Sequence, residues 1–250
     1  MNQDQLQIET NFKIQWIELT RQLEKLSKHR LDEDRRHKFR TTIRRFNALY
    51  ELGQNFISKK EAKRYYKHSK KLMHALGDIR RFEVALNLSK ELKLKEHRLK
   101  NKLEQAEARN TKHLSQKKRF KLFKITKAAQ LNLHSSKTLH FIRPEKIFVK
   151  NKLSKNELHD LRIQLKSIRY SAEAIGKEFH EIAKLQDALG YLHDLEDLKD
   201  LIGEAPSIIR AQTKTLKRAE NLLRQFKRNH HNTDVFNSFF PKSSLFSSPV

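Results

Sequence analysis

The chain has 250 residues, with 54 Lys and Arg against 29 Asp and Glu, for a formal net charge of +25. A charge that large draws polyanions, namely nucleic acid, an anionic membrane surface or a phosphate polymer, and charge alone does not choose among them. The absence of Cys excludes a disulfide, a thiol nucleophile and a Cys-ligated zinc, so a reducing cytoplasm is the simplest home.

Hydrophobic residues make up 37% and recur periodically, which a disordered basic tail would not show. With only 5 Gly and 4 Pro in a chain dominated by Leu, Lys, Glu, Ala and Arg, the expected class is all-α. The start, Met1 to Leu6, is polar, and no apolar run is long enough for a signal or a transmembrane span, so a soluble intracellular chain is expected.

Phe12, Trp16, Leu19, Leu23 and Leu26 alternate steps of four and three, predicting an amphipathic helix over about 4–28 with Trp16 in its core stripe. Asp32, Glu33 and Asp34 then enrich a helix start in acid, as the helix dipole favours, and Gly53 is a plausible stop. On this second helix His37, Arg40 and Arg44 share a face, with Arg45 flanking them. Phe39, Ile43, Phe46 and Tyr50 form the opposed apolar stripe.

A third helix is predicted from Lys59 to about Leu94. It contains Gly77, which costs about 1 kcal/mol relative to Ala in a helix, so close approach of another helix is expected there. From Glu96 to Leu133 the spacing predicts one long, solvated, Lys-rich helix, on which Arg119 and Lys121 could extend an anion surface.

The stretch from His134 to Lys155 is less periodic and holds Arg143-Pro144, which marks a boundary between two halves. Ser154 or Asn156 can cap the next helix, predicted to run to about Glu178. At roughly 100° per residue, His159, Arg162, Lys166 and Arg169 fall within an arc of about 80°, and Leu161, Leu165, Ile168 and Ala172 within about 60° on the other side. Lys184-Leu185-x-x-Ala188-Leu189-Gly190-x-Leu192-His193 repeats Lys71-Leu72-x-x-Ala75-Leu76-Gly77-x-Ile79-Arg80, so the second half replays the first. A last helix is predicted from Pro206 to about Arg228, with Leu216, Leu222, Leu223 and Phe226 inward. Residues 231–250, with four phenylalanines, read as a flexible tail.

Both basic faces are led by arginine and, read from sequence, carry no interleaved acid at the four-residue spacing. Stacked like charge destabilises a helix by a few tenths of a kcal/mol per pair, so an anion should offset it. Signals for catalysis are missing. There is no Gly-rich phosphate loop, His230-His231 is a bare pair, and His159-Asp160 and His193-Asp194 are neighbours that a helix points about 100° apart. An enzyme acting on phosphate polymers would need carboxylates to hold metal among the cations, and the two faces lack them.

The paired His-x-x-Arg-x-x-x-(Lys/Arg) helices, the run Glu157 to Arg162 followed by Lys166-x-x-Arg169-Tyr170, and the segment Leu185 to Asp194 together resemble the CHAD family of histidine-containing α-helical domains, over about residues 5–228. The second half matches closely. The first departs from the family pattern at Arg81 and Glu83, where the family has acids in Leu-Gly-x-x-Arg-Asp-x-Asp-Val, and at Asn47, where it has a third-turn arginine. The resemblance implies an all-α fold of two pseudo-symmetric four-helix bundles forming one domain over 1–230, with halves of about 4–133 and 154–228 and a basic central groove.

It further implies that the groove binds inorganic polyphosphate without catalysis, through His37, Arg40, Arg44, Arg45 and Arg80 from one half and His159, Arg162, Lys166 and Arg169 from the other. No cofactor, metal, membrane insertion or specific protein partner is expected, and polyphosphate granules are where such binding would take a cytoplasmic protein. The family's frequent companion, a triphosphate-tunnel domain with a Glu-x-Glu-x-Lys strand, has no motif here. The alternative is a helical RNA-binding protein, which has the right charge but lacks a helix-turn-helix or RNA-recognition signature and shows few aromatics on its basic faces.

Overall fold

The stripes predicted from spacing become buried faces. The computed structural model describes residues 3–129 and 153–229, and among them the chain forms eight helices and no strand. They are α1 (Gln3–Lys28), α2 (Glu33–Leu52), α3 (Lys59–Glu91), α4 (His97–Asn110), α5 (Gln116–Ala128), α6 (Lys155–Ala174), α7 (His180–Ile202) and α8 (Pro206–Asn229). No described helix is long and apolar enough to cross a membrane. The expected boundary between halves, the His230-His231 pair and the tail lie largely or wholly outside the described residues.

Local chemistry sets several ends. Asp32 accepts the Arg35 backbone N–H at 2.8 Å and so opens α2, while Ser154 and Glu157 form a reciprocal capping box on α6. Helix α6 ends before the expected Glu178 because Gly176 takes a left-handed φ of 77°, with the Lys177 N–H donating back to the Ala172 carbonyl at 2.9 Å. The single helix expected over 96–133 is two helices, broken at residues 111–115. There Asn110 turns its amide to Asp78 at 2.7 Å and to its own helix at Ala106, and polar Thr111 and Ser115 favour a turn over a continuing helix.

The same rearrangement corrects the reading of Arg119. It is buried, and its Nη1 donates to the carbonyls of Leu26 at 2.8 Å and His29 at 2.7 Å, closing the C-terminal end of α1. It therefore belongs to the scaffold and not to an anion surface. Lys121 is exposed.

Three apolar clusters hold the helices. The first joins α1, α2, α5 and the start of α3, around an aromatic stack in which Tyr50 and Tyr65 lie 3.9 Å apart and Trp16 meets Phe46 edge-on at 5.4 Å. The third packs Leu161, Leu165 and Ile168 of α6 on α7 and α8. Between them the middle cluster gathers Ile79, Phe82, Ala85 and Leu88 from α3 with Leu195, Leu198 and Leu201 from α7, so the two halves share one apolar seam. Helix α2 also packs on α6.

Beside that seam lies an ion network centred on a buried carboxylate. Arg36 of α2 reaches Glu83 of α3 at 2.7 Å and Glu107 of α4 at 2.8 Å. Glu83 is only 3% exposed. Its carboxyl is pushed up by burial and drawn back down by Arg36. Arg36→Met is expected to destabilise the fold by about 3–5 kcal/mol in urea titrations, because it strands a buried carboxylate, and Arg36→Met with Glu83→Leu should recover most of that loss.

Candidate anion-binding site

Each basic face keeps the geometry its spacing dictates: Phe39, Ile43, Phe46 and Tyr50 are at most 1% exposed, which leaves His37, Arg40 and Arg44 on the opposite side of α2. On α6, burial of Leu161, Leu165, Ile168 and Ala172 does the same for His159, Arg162 and Lys166. Because α2 packs on α6 and α3 on α7, the two rows come within electrostatic reach of each other, and the region they border is called the trough.

The titration of these groups shows how crowded they are. Burial, then Arg162, Arg44 and Arg40, push the Lys166 ammonium from 10.5 to about 7. Burial, then Arg44 and Arg80, lower Arg40 to about 10, with Arg162 acting in the same direction from the other half. His37 is held below its usual value by burial and by Arg80, Arg44 and Arg40. Arg162 is also lowered, mainly by burial, and its Nε is buried with no hydrogen-bond partner. Among the described residues, none of His37, Arg40, Arg44, His159, Arg162 or Lys166 has a carboxylate within 4 Å. Arg80 is only loosely held, 3.8 Å from Glu83 and 4.0 Å from Glu33.

Gly77 serves the trough in a way not expected from sequence. What approaches it is a side chain and not a helix backbone: the Arg40 guanidinium lies over it, with Nη1 3.7 Å from where a Cβ would stand. At the repeat-equivalent Gly190 a Cβ would meet nothing within 4 Å, so the opposing wall is open there.

Two of the nine predicted residues sit apart. Arg45 and Arg169 both bind Glu173, at 3.0 and 2.9 Å, and line a separate cleft of about 470 Å3 with Lys177 and His180. The Arg169–Glu173 pair has the four-residue spacing that the α6 face was read as lacking. Asn47 accepts the Tyr65 hydroxyl at 3.0 Å and so serves the core, and Arg81 is exposed.

The trough also contains residues that sequence reasoning did not place there. The rings of His193 and His159 lie 5.4 Å apart, and His193 Nε2 is 3.7 Å from Asp197. These two histidines and Arg162 line a cavity of about 490 Å3 between α6, α7 and α8. Asp194, its carboxyl pushed up by burial and drawn down by Arg162 and His193, adds a second acid, so the trough is not free of carboxylates as the two faces taken alone suggested. The acids come from α7. The signal was present in the repeat, whose register lays His193 on Arg80 and Asp194 on Arg81.

Comparison with known proteins agrees with this architecture. In fold the chain is similar to PptA from Streptomyces chartreusis, with a TM-score of 0.53 at 15% sequence identity, over 89% of this chain and 95% of that one. No curated protein matches it. The family model for the CHAD domain matches residues 18–131 and 127–203. The chain belongs to the CHAD domain family.

Proposed function

We propose that the trough binds inorganic polyphosphate and that the protein acts by binding, without catalysis. The observation that carries this reading is the convergence of unpaired cations from both halves, close enough to suppress one another's charge. Such a cluster is stable to leave empty only at a cost, and a chain of phosphates relieves it. Arginine suits the task because its planar fork grips two phosphate oxygens at once, while lysine adds a point charge. In this reading the domain spans 1–230, its halves of about 4–133 and 154–228 are related by a pseudo-twofold, and binding takes the protein to polyphosphate granules in the cytoplasm. Arg45 and Arg169 contribute only if the ligand draws them from Glu173.

Arg40→Gln with Arg162→Gln should weaken polyphosphate binding by roughly 100-fold or more, since two charge-assisted contacts are lost. Helicity should be unchanged and the thermal midpoint equal or higher, because both side chains lie off the apolar stripes and repel their neighbours. Labelled polyphosphate challenged with single-stranded RNA and duplex DNA at moderate salt should resist both. Displacement by RNA at equal phosphate concentration would transfer the trough to nucleic acid. Salt sensitivity alone decides nothing, since either ligand releases counterions.

Binding should also take up protons. A bound anion favours the charged forms of Lys166, His37 and His193, all depressed in the free protein. Affinity should therefore rise as pH falls from 8 to 6, and calorimetry in buffers of different ionisation enthalpy should report proton uptake near pH 7.5 that Lys166→Gln reduces. The free protein behaves oppositely. A lowered lysine pKa disfavours the protonated fold, so Lys166's effect on stability improves as pH rises from about 7 toward 10.5. Affinity that is flat from pH 8 to 6 would remove the lysine and the histidines from the contact.

A further inference from the structure

Away from the trough the chain assembles a second basic concavity. Helix α3 lays Lys67, Lys71 and His74 along one side at steps of four and three. Arg109 near the end of α4, with Lys118 and Lys121 of α5, completes a groove of about 850 Å3 whose floor includes buried Leu72 and Ala75. On α3, nine residues separate Lys71 from Arg80. At about 100° and 1.5 Å each, the two point to opposite sides of the helix, roughly 13 Å apart along its axis. The groove is therefore not an extension of the trough.

Most of its charge is uncompensated. The acid on its lining, Asp78, is already occupied by Asn110 at 2.7 Å and Arg109 at 3.3 Å. Among the described residues, Lys67, Lys70, Lys71 and Lys121 have no ion pair. Lysines from two helices converge closely enough to act on one group: His68, between them, is held below its usual value by burial and then by Lys121, Arg64, Lys71 and Lys67. Lys118 Nζ lies 3.5 Å from His113, so two basic side chains meet here as well. Like charges facing each other across a concave surface are unfavourable without an anion between them, which a convex solvated face does not require.

We infer that this outer groove is a second, independent binding site for chains of phosphate groups. Lysine ammonium groups on mobile stems suit phosphate oxygens presented at varied angles. Among the described residues no Phe, Tyr or Trp lines the groove, so the stacking platforms it offers nucleic-acid bases are limited to His68, His74, His113 and Arg109. The trough presents arginines that are half-buried, whereas the outer groove presents lysines that are mostly exposed, so its grip is weaker. With both sites the protein holds one long chain at two places, or bridges two chains.

Calorimetric titration of the full chain with inorganic tripolyphosphate tests this. The number of ions bound should fall by one in K67Q/K71Q/K121Q, while K25Q/K214Q/K217Q, which removes the same charge elsewhere, should bind as many as the wild type. Circular dichroism checks that both remain helical. An unchanged stoichiometry in K67Q/K71Q/K121Q overturns the site, as does an equal loss in the matched control. A single-stranded RNA dodecamer that displaces tripolyphosphate from R40Q/R162Q at equal phosphate concentration assigns the groove to nucleic acid and overturns it too. R40Q/R162Q binding like the wild type would end the trough reading and leave the outer groove standing.

Discussion

The seam between α3 and α7 is what forces the cations together. Left to themselves, His37, Arg40 and Arg44 on one helix and Arg162 and Lys166 on another would turn apart into water. Burial of Ile79, Phe82, Leu195 and Leu198 along the seam opposes this, each contributing roughly 1.5–3 kcal/mol. Repulsion costs a few tenths of a kcal/mol per exposed pair and more where the groups are half-buried. The apolar term therefore wins, and the residual strain appears as lost basicity. Lys166 loses more basicity than Arg40 because its compact ammonium loses more hydration on burial than a delocalised guanidinium does.

Helix faces were the part of this architecture most legible in the sequence, because an apolar stripe at three- and four-residue spacing leaves little freedom in which side goes inward. Phe39, Ile43, Phe46 and Tyr50 illustrate it: their burial placed the basic residues without further information. Less legible were features that depend on where a second element ends in space. Arg119 reads as one more cation in a basic run until the end of α1 is known to lie against it. Arg40 over Gly77 is similar, since spacing shows that a glycine is unusual in a helix but not which side chain takes the room.

Other features were legible but went unused. The duplicated Lys-Leu-x-x-Ala-Leu-Gly segment assigns His193 to the position of Arg80, and an arginine counted as a ligand should have drawn in its counterpart. Glu173, four residues beyond Arg169, is an ordinary helical pair. Its second partner, Arg45, comes from α2 and could not be read from α6 alone. Glu173 thus cross-links the two halves at the place where both rows would otherwise continue.

That cross-link bounds the reach of the trough. In the repeat register His37 corresponds to His159, Arg40 to Arg162 and Arg44 to Lys166; the next correspondents, Asn47 and Arg169, are held by Tyr65 and Glu173. On α2, positions 37 to 44 extend only about 10 Å along the helix. A polymer bound as proposed would be gripped over a short stretch, with most of its length left outside the trough. The last of these correspondents before the clamp is Lys166, whose ammonium is lowered to about 7 by burial and by Arg162, Arg44 and Arg40. At neutral pH the charge of the α6 row is therefore adjustable by protonation at its end nearest the Glu173 clamp.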